Sequence, residues 1–190
     1  PNLNHASLVK YVIEWPQLSL WDPLCQFKLQ TVPADQKGIS MRLKNRVAIV
    51  TGGGSGLGAG IARRFAAEGA IVVCADINEE NAQNVAADIG NGSTEAMAVG
   101  MDVTDYADAK RLTTETVERF GTVDIIVNSA GIASHMPFLE AKPEDFQRII
   151  KVNLEGTLYC AQHAARIMVK QGYGRVINIA SIAGLRAGIG

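Results

Sequence analysis

The chain has 190 residues, of which 47% are hydrophobic and 19% charged, and its formal net charge is −1. That length supports one core-forming domain, and that composition excludes the disordered and fibrous classes. A nearly balanced charge argues against nucleic acid or an anionic membrane surface as partner, and no apolar run approaches the roughly 18 residues a membrane helix needs.

Residues 1–40 differ from everything after them. They hold both tryptophans (Trp15, Trp21) and four of the six prolines, with no clear period. Two readings stay open: an upstream extension or cloning remnant, and an arm that docks on a partner or another subunit. MRLKNR at 41–46 looks like the beginning of the domain that follows, so residues 41–190 are expected to form it.

From Asn45 the pattern becomes regular. RVAIVTG is a short β-branched run that suits a buried strand. Leu57, Ile61 and Phe65 then recur at helical spacing, with Gly69 as the stop. AIVVCAD is a second strand. Asn78 caps a helix whose apolar face is Ala82, Val85, Ala86 and Ile89. TEAMAVGMDV holds a third strand, and Asp105 opens a helix carrying Leu112, Thr116, Val117 and Phe120. TVDIIVNSAG is a fourth strand with its exit loop. Pro143 starts a long helix expected to run to about Lys170, and GRVINIAS is a fifth strand ending at Ser181. Strands alternating with helices at this spacing predict βαβ units and a doubly wound parallel sheet, a three-layer α/β/α Rossmann fold. The apolar stripe Phe146, Ile149, Ile150, Leu154, Leu158, Ala161, Ala165 and Met168 is expected to face the core.

Between the first strand and first helix lies TGGGSGLG, residues 51–58. Glycines at 52, 56 and 58 let the backbone turn tightly and let a pyrophosphate approach, while the helix N-terminus offers N–H groups and partial positive charge. Asp76 closes the second strand, where a carboxylate accepts both adenosine ribose hydroxyls; the bland alternative is a helix-capping Asp. It would repel the extra phosphate of NADP by on the order of 1–4 kcal/mol, and no arginine stands in place of Ser55 to offset that. NAD is therefore expected over NADP. Asp102 and Val103 suit one hydrogen bond and one apolar contact to adenine, although Asp-Val-Thr-Asp also reads as a helix cap.

Taken together, TGGGSGLG, Asp76, the Asp-Val pair at 102–103, NSAG at 128–131, Asn153 and Ser181 resemble the short-chain dehydrogenase/reductases, in unbroken order over roughly residues 43–190. The resemblance implies hydride transfer between NAD(P)(H) and an alcohol or ketone substrate. It implies cofactor contacts at Gly52, Ser55, Leu57, Gly58, Asp76, Asp102 and Val103, and in the NSAG loop at Asn128, Ser129, Ala130 and Gly131. Ser129 departs from the family's usual NNAG, at a place where the backbone makes the contact. Asn153 would hold a water of the proton relay, its alternative being a polar residue on a buried helix face. Ser181 would hydrogen-bond the substrate oxygen. The family's catalytic tyrosine and lysine, in a YxxxK pattern, are expected beyond Gly190. None of Tyr11, Tyr106, Tyr159 and Tyr173 is placed to substitute, so the chain reads as C-terminally truncated and inactive as given, with further strands of the sheet lacking. The resemblance also implies a homodimer or homotetramer for the full-length parent. The rival is a non-catalytic NAD-binding module.

Cys25, Cys74 and Cys160 form no CxxC and no metal spacing with the three histidines. They read as free thiols in a reducing compartment, and no metal is expected. The N-terminus lacks a basic segment followed by an apolar one, so the cytoplasm is expected. His135 reads as a loop histidine that could line a substrate pocket, and His163 as a packing or surface residue.

Overall fold

Four short runs rich in Val and Ile, and a fifth, AMAVG, built mainly of small and unbranched residues, become five parallel strands. The computed structural model describes residues 41–92, 94–134 and 137–181; the readings placed on residues 1–40, on His135 and beyond Ser181 lie outside them. The elements are β1 (Val47–Thr51), α1 (Gly56–Ala67), β2 (Ile71–Asp76), α2 (Glu79–Gly90), β3 (Ala96–Gly100), α3 (Tyr106–Phe120) and β4 (Ile125–Asn128). A 3-10 turn at Phe138–Glu140 precedes α4 (Pro143–Ile150), which continues through a π-helical segment, Lys151–Glu155, into α5 (Gly156–Gln171). β5 (Arg175–Asn178) follows. This is the expected Rossmann-like α/β fold.

The sheet order is β3-β2-β1-β4-β5, with every pairing parallel. The chain moves outward from β1 to β3, then returns to the other side of β1 with β4. That reversal opens a crevice at the carboxyl ends of β1 and β4, the place where such sheets hold ligands. Alternation along the strands divides the core into two layers. Ala48, Val50, Val72 and Cys74 pack with α1 and α2, while Ile49, Val73, Ala75 and Ile126 pack with α3 and α5.

The helices meet the sheet through small residues. α1 buries Gly58, Ala59, Ala62 and Ala66, so Leu57 stays 55% exposed rather than joining a core face. α5 buries Gly156, Cys160, His163, Ala164 and Met168. This corrects the expected stripe: Met168 is buried, but Phe146, Leu154 and Leu158 are exposed by 57–65%. Small side chains bring the helix axis close to the sheet. At Gly156 an added Cβ would lie 2.7 Å from Val103 Cγ2, so the bulky residues are turned outward.

Two thiols sit in this core. Burial pushes Cys74 up to about 11 and Cys160 up to about 12, so neither is nucleophilic near neutral pH. Among the described residues no helix is long and apolar enough to cross a membrane. Among those same residues no group of three or more His, Cys, Asp or Glu is arranged to hold a metal ion.

Candidate functional site

The crevice between β1 and β4 is a cavity of about 740 Å³. Its floor is the glycine loop. Gly52 has φ of +65°, and a Cβ there would lie 2.9 Å from both the N and the Cα of Ala130. Only glycine allows this turn and the approach of the NSAG backbone. At Gly58 a Cβ would overlap the carbonyl of Gly52, so the first turn of α1 rests directly on the loop. Thr51 ties the two strand ends together, its hydroxyl oxygen accepting from Ser129 N at 3.2 Å and Ala130 N at 3.3 Å.

The N-terminus of α1 faces this cavity. Ser55 is its N-cap, yet its side chain makes no capping hydrogen bond, and the first turn contains no acidic residue. The leading N–H groups and the positive end of the helix dipole are therefore left for an anion. Ser55, Gly56, Leu57 and Gly58 all line the cavity.

Asp76 stands beside the loop. Its Oδ2 accepts from Gly54 N at 2.9 Å and its Oδ1 from Asn78 N at 3.0 Å. Asp76 is thus not the cap of α2; Asn78 holds that role, accepting from Asn81 N. The carboxylate is fixed by two backbone donors and keeps lone pairs for a further partner. Asp102 and Val103 line the same cavity. Asp102 Oδ1 accepts from Thr104 N at 2.8 Å, and the cap of α3 is Asp105, accepting from Ala107 N.

Asn128, the last residue of β4 and the first of NSAG, is buried. Its Nδ2 donates to Asn178 Oδ1 at 2.9 Å, while its own Oδ1 is buried with no hydrogen-bond partner. Two loop positions, Gly52 and Gly58, that admit only glycine, an unspent helix N-terminus and an anchored carboxylate on one wall together fit a dinucleotide, whereas Asn128, expected among the cofactor contacts, does not line that wall. Ser129, Ala130 and Gly131 line the cavity.

Asn153 sits in the π-helical segment, off the cavity wall. Its side chain holds the backbone of Ile132, which does line the cavity. The widened turn leaves the Asn153 carbonyl to accept from Thr157 Oγ1 at 2.9 Å. Ser181 is exposed and lies two residues beyond Ile179, the last of the described residues on the cavity wall. Sequence reasoning missed Thr51, Ile77, Ile132 and the contribution of α4 and the π-helical segment after it, where Gln147, Arg148 and Lys151 reach the wall. The signal for α4 was present as polar residues on one helical face opposite the apolar stripe.

The sequence profile described as "short chain dehydrogenase" matches residues 46–190. The chain is 39% identical over 145 residues to meso-2,3-butanediol dehydrogenase of Serratia marcescens, covering 76% of this chain and 57% of that protein. It is 41% identical over 147 residues to sorbitol dehydrogenase of Cereibacter sphaeroides, covering 77% and 56%. It is 40% identical over 147 residues to galactitol 2-dehydrogenase of Agrobacterium fabrum (strain C58), again covering 77% and 56%. The chain therefore spans little more than half the length of these relatives.

Proposed function

The chain belongs to the short-chain dehydrogenase family, and from that premise we propose that it is the cofactor-binding part of an NAD(H)-dependent oxidoreductase of the cytoplasm. Its substrate is a secondary alcohol or the matching ketone. The observation that carries the reading is Asp76, a carboxylate held by Gly54 N and Asn78 N on the wall that also carries the glycine loop. A rigid anion there accepts two ribose hydroxyls and opposes a ribose phosphate, which favours NAD over NADP.

When bound, the cofactor supplies or accepts the hydride. In this reading Gly52, Ser55, Leu57 and Gly58 hold its phosphates through N–H groups, and Asp102 and Val103 hold adenine. Asn128, Ser129, Ala130 and Gly131 support the far end of the cofactor. Asn153 positions the Ile132 segment, and Ser181 orients the substrate oxygen. The relatives named for butanediol, sorbitol and galactitol favour a diol or polyol as substrate.

A second reading, binding without turnover by residues 1–190 alone, rests on the tyrosines. Tyr106, Tyr159 and Tyr173 all lie off the cavity wall, and a ketone accepting hydride needs a proton donor within hydrogen-bonding reach. We further propose that residues 41–190 suffice for cofactor binding. The exposed face of Phe146, Leu154 and Leu158 pairs subunits of the parent, a dimer or tetramer.

The test is calorimetric titration of residues 1–190, of residues 41–190 and of the parent protein with NAD and NADP. It is followed by NAD reduction with a panel of diols and polyols. Tighter binding of NADP than NAD would overturn the cofactor assignment. Turnover by residues 1–190 equal to that of the parent would overturn the second reading.

A further inference from the structure

α4 and the π-helical segment after it contribute charge to the cavity that the glycine loop and Asp76 do not account for. Arg148 and Lys151 both line it, and both are exposed. Among the described residues, every other arginine has a protein acceptor: for example Arg46 with Asp124, Arg63 with Asp88, Arg111 with Asp108, and Arg166 with Gln162. Arg148 alone has neither a hydrogen bond nor an ion pair from its side chain, and Lys151 has none either. Local partners stand at the right helical spacing and are not used. Glu144, one turn before Arg148, makes no ion pair with it, and Glu155, one turn after Lys151, instead accepts from Tyr159 OH at 3.3 Å. Two cations with carboxylates at i±4 and no ion pair are left to a partner outside the protein.

The charge balance of the wall says what kind of partner. Among the described residues its acidic and basic side chains are Asp76, Asp102 and Glu144 against Arg148 and Lys151. Without the two cations, three carboxylates would surround any ligand. Such a wall repels an anion, although the bare N-terminus of α1 on the floor favours one. The N–H groups act over one turn of helix, whereas exposed cations act over about a Debye length.

We propose that Arg148 and Lys151 recruit and hold the pyrophosphate-bearing ligand of this cavity, acting as affinity determinants beside the glycine loop and Asp76 in its lining. The proposal rests on the dinucleotide reading and adds Arg148 of α4 and Lys151 of the π-helical segment to the residues that carry it. Charges at a rim raise the encounter rate of an anion and weaken with salt, so ionic strength is their signature. The contact is with the phosphates, so adenosine, which has none, is indifferent to it.

The chain and its R148Q, K151Q and R148K variants are titrated with NAD, ADP and adenosine at low and at high salt. R148Q and K151Q are expected to weaken NAD and ADP by about threefold each at low salt. The loss should shrink at high salt and be absent for adenosine, and R148K should retain most of the affinity. Equal weakening of adenosine would overturn the proposal, because the contact would then be to the base or sugar. NAD and ADP affinities unchanged by both substitutions, in a chain that binds NAD, would overturn it while leaving the cofactor reading intact. No binding of NAD, ADP or adenosine by the unaltered chain would overturn both.

Discussion

The side-chain amide of Asn153 clasps the backbone of Ile132 at both of its polar groups. Oδ1 accepts from Ile132 N at 2.9 Å, and Nδ2 donates to Ile132 O at 2.9 Å. The π-helical segment that carries Asn153 is thereby pinned to the loop after β4. A side-chain amide suits this place because one end must accept and the other donate. Asn153→Asp keeps the size and loses the donor, leaving a carboxylate facing a carbonyl. We expect it to cost about 1–3 kcal/mol and to speed hydrogen exchange at the Ile132 amide, whereas the amide of Val50 in β1 should be unchanged. Unaltered protection at Ile132 would show that the clasp does not hold the loop.

Asp76 carries a structural load as well as the proposed ribose contact. Asp76→Ala removes the acceptor of both Gly54 N and Asn78 N. The expected result is a loss of about 1–3 kcal/mol in stability and a shift of about tenfold in relative affinity toward NADP. Thermal unfolding and paired titrations separate the two effects. A variant that is destabilised yet keeps the same cofactor ratio would mean that Asp76 only braces the loop.

Two glycines of α1 make opposite predictions. At Gly58 a Cβ would overlap the Gly52 carbonyl, whereas at Gly60 it would meet nothing within 4 Å. Gly58→Ala is therefore expected to cost about 3 kcal/mol or more, because the helix must lift off the loop. Gly60→Ala should stabilise by about 0.5–1 kcal/mol through helix propensity alone. Urea denaturation of both variants checks the pair, and equal effects would contradict the packing of α1 on the loop.

His163 supplies a pH dependence away from the cavity. It lies buried between α3 and α5, its ring 4.5 Å from that of Tyr106, with Nδ1 3.3 Å from Arg166 NH1. Arg166 can only donate, so Nδ1 accepts and the proton resides on Nε2, which has no partner. Burial first, then Arg166 and Lys110, hold its pKa below the ordinary histidine value of 6.5. The unfolded chain therefore takes up this proton at a higher pH than the folded one. The stability is fully present above the unfolded value and is lost as pH falls through the folded one. Urea midpoints measured from pH 8 to about 5 should decline, with a shallower decline in His163→Leu. Parallel declines would place the titrating group elsewhere.

Much of the fold was legible in the sequence because its signals are local. Strand runs, helix caps at Asn78 and Asp105, and Pro143 at a helix start depend on neighbours within a few residues, and each stands where it was expected. The glycine loop and Asp76 were legible because backbone conformation and strand position dictate residue type there. The outward face of α4 and α5 was not legible. Periodicity reports that Phe146, Leu154 and Leu158 share a side, but not whether that side meets the sheet. The answer came from Gly156, Cys160 and Ala164, whose small size lets the opposite face approach more closely. The roles of Asn153 and Arg148 were likewise decided in three dimensions. A hydrogen bond to Ile132 spans 21 residues, and an arginine is unpaired only once every nearby carboxylate has been placed. Sequence spacing determines which groups a chain owns. Only the packed structure determines which of them have already been spent on one another.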